Sequence, residues 1–168
     1  MTQAKWLADQ LEGTRDWTLK LIADLNGSDW TFQPSAGMGH ALWLCGHLAC
    51  AQDLLVFIRC LGQPGILEPS FTDHFPIGSP VKSADEHDFP PVEAVLKTME
   101  DTHRRTCEAI LAMNDSLLAE PAFAGDGKSA HPHYNDKGGA VAHLNRHEAF
   151  HAGQLATIRR LLGKPFLR

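Results

Sequence analysis

Apolar residues recur at steps of three and four in four separate stretches of this chain, which is the period of a buried helix face. No stretch alternates apolar and polar residues over the length of a β-strand. The pattern predicts four helices, over residues 2–26, 38–61, 91–114 and 139–162. Helices of about 22 residues are about 33 Å long, so they can pack side by side. We therefore expect an all-α fold, a four-helix bundle that forms a single domain over residues 1–168.

The second predicted helix is apolar on all sides, since Leu42, Trp43 and Leu44 follow one another and residues 54–58 form a second run. It is therefore expected at the centre of the bundle or in a subunit contact. Two connectors are long. Residues 62–90 hold five prolines, which break helix and strand alike, and residues 115–138 form a second loop. A loop of this length is typically a functional lid or a disordered segment.

Composition narrows the class of protein. The 168 residues fit one domain, and 43% hydrophobic and 21% charged residues are typical of a soluble globular protein. The formal net charge of -5 argues against a nucleic-acid partner. No apolar run reaches the roughly 18 residues of a membrane span, and Asp9 and Glu12 interrupt any signal sequence. The four cysteines form no C-x-x-C pair, which fits reduced thiols, and we expect a cytoplasmic protein with no membrane or nucleic-acid partner.

Histidine is unusually frequent, with ten residues against one tyrosine. His147 and His151 fall in the stripe of the last predicted helix that Leu144, Leu155 and Ile158 define. A buried imidazole needs a partner for each ring nitrogen, and one metal ion bound by both side chains would supply it. Residues four apart lie on one helix face, about 6 Å apart at Cβ, so both rings can reach one cation. The spacing therefore predicts two metal ligands.

His47 is the best third ligand, because Trp43, Cys50 and Leu54 lie about one or two turns away on a face otherwise suited to packing. Three neutral imidazoles with open positions suit zinc, nickel or ferrous iron. Polar residues lie at about the same depth in all four predicted helices, which predicts a polar pocket inside the bundle. These residues are Thr14, His47, His103 or Thr106, and His147 with His151.

Residues 147–151 also spell H-E-x-x-H, the metallopeptidase signature in which the glutamate is the general base. Zinc peptidases of that kind take a third ligand downstream, but residues 152–168 contain no His, Asp or Glu. A peptidase is therefore disfavoured. Glu148 could be a base, a partner behind the ligands or a solvated side chain, since one position along a helix turns it about 100° from the ligand stripe.

Three patterns together resemble the DinB-like superfamily of metal-binding four-helix bundles, and the resemblance spans essentially the whole chain. They are Trp30-x-Phe32-x-Pro34, Gly46-His47-Leu48-Ala49 and His147-Glu148-x-x-His151-x-Gly153-Gln154. The resemblance implies an up-down-down-up bundle, often a homodimer, in which His47, His147 and His151 bind a divalent metal. Characterised members include S-transferases and isomerases that use low-molecular-weight thiols. Others are described only provisionally, as metal-dependent hydrolases or as damage- and stress-inducible proteins.

These observations lead to one hypothesis with alternatives. Three histidines would hold a divalent ion with open positions for a small-molecule substrate and a thiol, and the resemblance favours thiol S-transfer to an electrophile. Glu148 or His103 would accept the proton, and residues 62–90 would close over the site. The alternatives are a metal-dependent hydrolase, in which the ion activates water, and a non-catalytic metal- or ligand-binding stress protein. A structural bundle with coincidental histidines is the third.

Other polar residues are expected to play lesser parts. His143, four residues before His147, is expected to flank the site rather than to complete it. Cys50 lies close to one turn from His47 but is expected, like the other cysteines, to be a small core residue. The histidines of the two connectors are expected to be exposed, with a place at the rim of the pocket as the alternative: His74, His87, His131 and His133.

Overall fold

A computed structural model describes residues 1–167, and four long helices make up most of it. Arg168, the last residue of the predicted domain, lies outside the described part. The helices, in chain order, are α1 (Gln3–Ile22), α2 (Ala41–Gln52), α3 (Pro69–Thr72), α4 (Val92–Leu111), α5 (Asp115–Leu118) and α6 (Lys137–Leu161). A 3₁₀-helix, Gly27–Thr31, follows α1, and α2 continues without a break into a π-helix, Asp53–Cys60. No β-strand forms among residues 1–167, so the all-α prediction is confirmed.

The four long helices lie where the periodicity places them, with shifted ends. α1 ends at Ile22, four residues before the predicted end, because the chain turns into the 3₁₀-helix, where Asn26 and Asp29 cap each other's backbone. α2 begins at Ala41, because the imidazole of His40 acts as its N-cap and accepts the backbone N–H three residues on, at 3.1 Å. Burial lowers the pKa of His40 to about 4, so this imidazole stays neutral and can accept the bond.

The order of contacts along the helices gives their directions. Helix α1 packs against α6 and α4, and α2 packs against the same two helices. The contacts are Thr14–Asn145 and Arg15–Glu148 between α1 and α6, His47–His151 and Cys60–Lys137 between α6 and α2 with its π-helical continuation, and Arg15–Met99 and Glu12–His103 between α1 and α4. In the α1–α6 pair the residue numbers of the two partners increase together. In the other two pairs the number of one partner increases as that of the other decreases. We infer that α1 and α6 run one way and α2 and α4 the other.

A polar layer crosses the bundle between two apolar clusters. One cluster joins Leu7 and Leu11 to the π-helix, and the other joins Leu21 and Ile22 to the first turns of α2. Between them lie four buried polar side chains, one from each long helix: Arg15, Gln52, His103 and Glu148. Buried polar groups are stable only when they bond to each other, and these four do. The layer lies at the mid-helix depth at which the sequence predicts polar residues, but of the predicted set only His103 belongs to it.

The connector between α2 and α4 is packed against the bundle. The carboxylate of Asp53, at the start of the π-helix, accepts the backbone N–H of Ile66 at 2.6 Å. Phe75 is 1% exposed and packs on Gly46 in α2, where an added Cβ would lie 2.3 Å from the phenyl ring. The connector is therefore an ordered cover of α2, anchored by an aromatic ring and a carboxylate.

The segment Ala41–Cys60 is long and apolar enough to cross a membrane by length and composition alone, contrary to the expectation that no run reaches that length. Within the bundle, however, 78% of this apolar window is buried. Helices α4 and α6 and the connector cover it, which is why it is apolar on every side. This is the pattern of a core helix in a soluble protein.

The contact of Gly46 with Phe75 gives a test of the packing. We expect Gly46→Ala to lower the free energy of unfolding by about 1–3 kcal/mol, because the methyl group would overlap the buried ring. Alanine has the higher helix propensity by about 1 kcal/mol, so the sign of the effect separates packing from propensity. Urea denaturation measures it.

Gly13→Ala in α1 is the matched control, since an added Cβ there meets nothing within 4 Å, and it should stabilise the protein. In a Phe75→Leu background, Gly46→Ala should lower the free energy of unfolding by less than it does in the wild-type protein. An unchanged cost in that background would show that the ring does not limit the position.

Candidate metal centre

The structure brings the three predicted ligands together. His47 lies on α2, and His147 and His151 lie one turn apart on α6, which runs beside it. The Nε2 atom of His147 lies 3.1 Å from the Nε2 atoms of both other histidines. Ligand nitrogens around one tetrahedral zinc are separated by about 3.3 Å, given bonds of about 2.0 Å. The spacing is thus within a few tenths of an ångström of a zinc-like arrangement.

Burial keeps these imidazoles neutral. His47 and His151 are 5% and 7% exposed, and His147 is half-buried, so the cluster reaches the surface at His147. Burial, with a smaller contribution from the neighbouring imidazoles, lowers the pKa of His47 to about 4 and that of His147 to about 3. Burial also lowers the pKa of His151, and the hydrogen bond that His151 donates to Gln154 acts in the opposite direction. At neutral pH all three side chains are therefore uncharged, as metal ligands must be.

Two side chains fix the orientation of the rings. The indole of Trp43 stacks on His47, with ring centroids 4.6 Å apart and planes 9° from parallel. His151 donates its Nδ1–H to Oε1 of Gln154 at 2.6 Å. With its proton on Nδ1, His151 presents a bare lone pair on Nε2 to the cluster. A hydrogen bond of this kind behind a ligand is the common arrangement in metal sites.

The hydrogen-bond count in the cluster is incomplete without a cation. His151 has no proton on Nε2, and one N–H from His147 cannot point at both of its neighbours. Buried nitrogen lone pairs facing one another are costly, whereas a divalent ion would accept all three. The donor set therefore fits a divalent metal.

Glu148, the glutamate of H-E-x-x-H, points into the bundle. It is 1% exposed, and its two oxygens accept bonds from Arg15 Nε at 2.6 Å and Nη2 at 3.0 Å. The Nε2 of Gln52 also donates to it, at 3.1 Å. Each carboxylate oxygen is thus bonded to a group of the protein. These bonds favour a structural part for Glu148, and its predicted part as a base stays a prediction.

His103 lies on another side of the bundle from the three ligands. Its Nδ1 is 3.2 Å from Gln52, and its Nε2 is 3.6 Å from Glu12 and 3.7 Å from Cys107. These contacts place it against α1, whereas the three ligands lie between α2 and α6. Burial, with a smaller contribution from Arg15, lowers the pKa of His103 to about 3. Its predicted catalytic part also stays a prediction.

The weaker candidates stand apart from the three Nε2 atoms. The ring of His143 lies 5.8 Å from that of His147, beside Tyr134, and flanks the cluster. Cys50 is half-buried, and burial raises the pKa of its thiol to about 12. Of the connector histidines, His133 is exposed as predicted, whereas His74, His87 and His131 are half-buried, so exposure is wrong for these three. His74 and His87 lie 2.8 Å apart.

Sequence reasoning did not identify Arg15 and Gln52, which hold Glu148. A signal for Arg15 was present, because it lies four residues after Leu11 and three before Thr18, on the predicted buried face of α1. A charge on such a face needs a buried partner. Gln52 carried no comparable signal, since glutamine in an apolar helix predicts no particular partner.

Comparison with known proteins gives the family. The family model of the DinB superfamily matches residues 10–155. No curated protein matches the chain. A solved structure, described as the conserved protein of locus from Enterococcus faecalis, has a TM-score of 0.66 and 16% sequence identity, with 98% of this chain and 99% of that chain covered. At that identity the likeness speaks for the fold. The family match extends over most of the chain, and the chain belongs to the DinB superfamily.

Proposed function

We propose that this protein binds a divalent metal ion through His47, His147 and His151 and catalyses S-transfer from a low-molecular-weight thiol to an electrophilic small molecule. The observation that carries the proposal is the convergence of three neutral Nε2 atoms, two from buried and one from a half-buried histidine, with the Nε2 of His147 3.1 Å from each of the others. Zinc, nickel and ferrous iron all suit three imidazoles. A cytoplasmic location and a homodimeric state belong to the same proposal.

The reaction needs an activated sulfur. A divalent ion in this site would supply Lewis acidity, which lowers the pKa of a thiol that approaches it. In the transfer, the S–H bond of the thiol breaks, sulfur bonds to the electrophilic carbon, and the proton leaves with the displaced group. Trp43 and Gln154 hold the His47 and His151 rings in place for this. Thiol transfer is preferred to hydrolysis because of the resemblance to thiol-dependent members of the superfamily.

In this proposal Glu148 positions the ligands. Its bonds to Arg15 and Gln52 fix the rotation of α6, and with it the direction of His147 and His151. Substrate reaches the centre from solvent beside His147, the half-buried ligand.

The first test is the metal itself. We expect His47→Ala and His151→Ala each to remove one equivalent of bound zinc, because two ligands do not hold the ion. Elemental analysis of zinc-loaded, desalted protein measures this. His143→Ala is the matched control on the same helix and should retain the full content. Equal zinc content in the control and the two variants would remove the proposed centre.

The second test concerns the bond behind the ligand. We expect Gln154→Leu to weaken zinc binding about 10–100-fold, because the His151 ring loses the acceptor for its Nδ1–H. Gln154→Glu keeps an acceptor and should bind zinc close to the wild-type affinity. Competition against a chromophoric chelator gives both affinities. If leucine and glutamate behave alike, Gln154 does not orient the ligand.

The third test is turnover. We expect zinc- or nickel-loaded protein to couple glutathione, or another small thiol, to an electrophile such as monochlorobimane. His47→Ala should slow the reaction at least about a hundredfold, since a Lewis acid supplies several kcal/mol. Product fluorescence measures the rate. Metal-dependent hydrolysis without added thiol would replace the transferase by a hydrolase, and metal binding without turnover on any tested substrate would favour a non-catalytic binding protein.

A further inference from the structure

A cavity of about 630 Å³ lies between α1 and α4, away from the three histidines of the candidate centre. Its wall includes three side chains with different donor atoms: the carboxylate of Glu12, the imidazole of His103 and the thiol of Cys107. Nothing in the proposed thiol transfer uses Cys107 or the cavity.

The three donor atoms lie at ligand spacing. The Nε2 of His103 is 3.7 Å from the sulfur of Cys107 and 3.6 Å from an oxygen of Glu12, and all three atoms lie within 4.8 Å of one another. Ligand atoms around one tetrahedral zinc are about 3.3–3.8 Å apart, given bonds of about 2.0–2.3 Å. His103 and Cys107 lie one turn apart on α4, and Glu12 approaches from α1. The backbone thus fixes two donors on one helix and a third opposite them.

Two of the three donor side chains are buried and the third is exposed. His103 and Cys107 are 7% and 5% exposed, so their positions are fixed by packing. The side chain of Glu12 is 56% exposed, so it can move by the fraction of an ångström that closing on an ion requires. The cavity adjoins all three side chains and leaves room for a water molecule as a fourth ligand.

The charge around the cavity favours a cation. Five carboxylates and three basic side chains line it: Glu12, Asp16, Glu100, Asp101 and Glu108 against Arg15, Lys97 and Arg104. Arg15 is paired with Glu148, and Arg104 is paired with Asp101 and Glu108. The carboxylate of Glu12 faces only the neutral histidine and the thiol among the contacts of residues 1–167.

We propose that Glu12, His103 and Cys107 form a second metal site, for a borderline divalent ion such as Zn²⁺ or Co²⁺, distinct from the three-histidine centre. Nitrogen, sulfur and carboxylate oxygen are the three donor types that zinc takes in proteins. Binding releases the thiol proton to solvent, because the thiolate is the form that ligates.

When the ion binds Nε2 of His103, the imidazole proton moves to Nδ1, which lies 3.2 Å from the carboxamide of Gln52. The Oε1 atom of that carboxamide is buried and has no partner in the described chain, so a turn of the amide gives Nδ1–H an acceptor. The turn takes the amide N–H away from Glu148 and turns the amide oxygen toward the carboxylate, which keeps both of its bonds to Arg15. Filling the second site therefore costs one hydrogen bond of the polar layer and the repulsion between these two oxygens.

Cobalt distinguishes the two sites, because thiolate ligation gives an intense near-ultraviolet charge-transfer band that three imidazoles do not give. We expect wild-type apoprotein to take up two equivalents of Co²⁺ and to develop this band. Cys107→Ser should lose the band and one equivalent. His147→Ala should lose one equivalent and keep the band, so failure of either site is seen separately.

Two further variants keep the test sharp. Cys60→Ser is the matched control, because Cys60 is a buried cysteine outside the donor cluster and a hydroxyl there can still donate to the carbonyl of Lys137. This variant should keep the band. Glu12 is exposed, so Glu12→Gln leaves the core intact. This variant should weaken, at least tenfold, the affinity for the Co²⁺ ion that gives the band. A single equivalent without the band in wild-type protein would overturn the second site, as would a band that survives Cys107→Ser.

Discussion

A buried ion pair fixes the middle of the bundle. Arg15 and Glu148 are 3% and 1% exposed and join the first long helix to the last through two hydrogen bonds. Removing one partner of such a pair leaves an uncompensated charge in the core and costs about 3–5 kcal/mol, although replacing both by apolar residues is often neutral. The pair therefore selects one register between α1 and α6 more than it adds to the total stability. The amide of Gln52 extends the same constraint to α2.

That register also aims the candidate ligands. Successive residues of an α-helix are turned by about 100°, so His147 and His151 lie about 100° and 60° to the same side of Glu148. With Glu148 directed at α1, both imidazoles face α2, where His47 stands against the indole of Trp43. The H-E-x-x-H letters thus describe a geometry different from that of a metallopeptidase. Here the glutamate sets the rotation of the helix, and the third imidazole comes from upstream in the chain.

The sequence predicts features that follow from a periodic pattern of residues, and it does not predict contacts between single distant positions. The four long helices follow from apolar steps of three and four, and the meeting of His47 with His147 and His151 follows from polar residues on buried faces. The shape of the second helix did not follow, because the same apolar residues fit an α-helix and the π-helix that forms from Asp53. The contact of Phe75 with Gly46 and the bond from Gln52 to Glu148 join distant positions, and no period encodes them.

The side-by-side, same-direction contact of α1 with α6 has a consequence for biosynthesis. Among the described helix pairs this is the most extensive contact, and α6 follows α1 along the chain only after every other described helix. Until α6 has left the ribosome, Leu7 and Leu11 lack one wall of their core and Arg15 lacks its counter-charge. At about 5–20 residues per second, that interval lasts roughly ten seconds or more, during which an apolar face stays uncovered. Closure of the core around Leu7 and Leu11 therefore waits for the synthesis of α6.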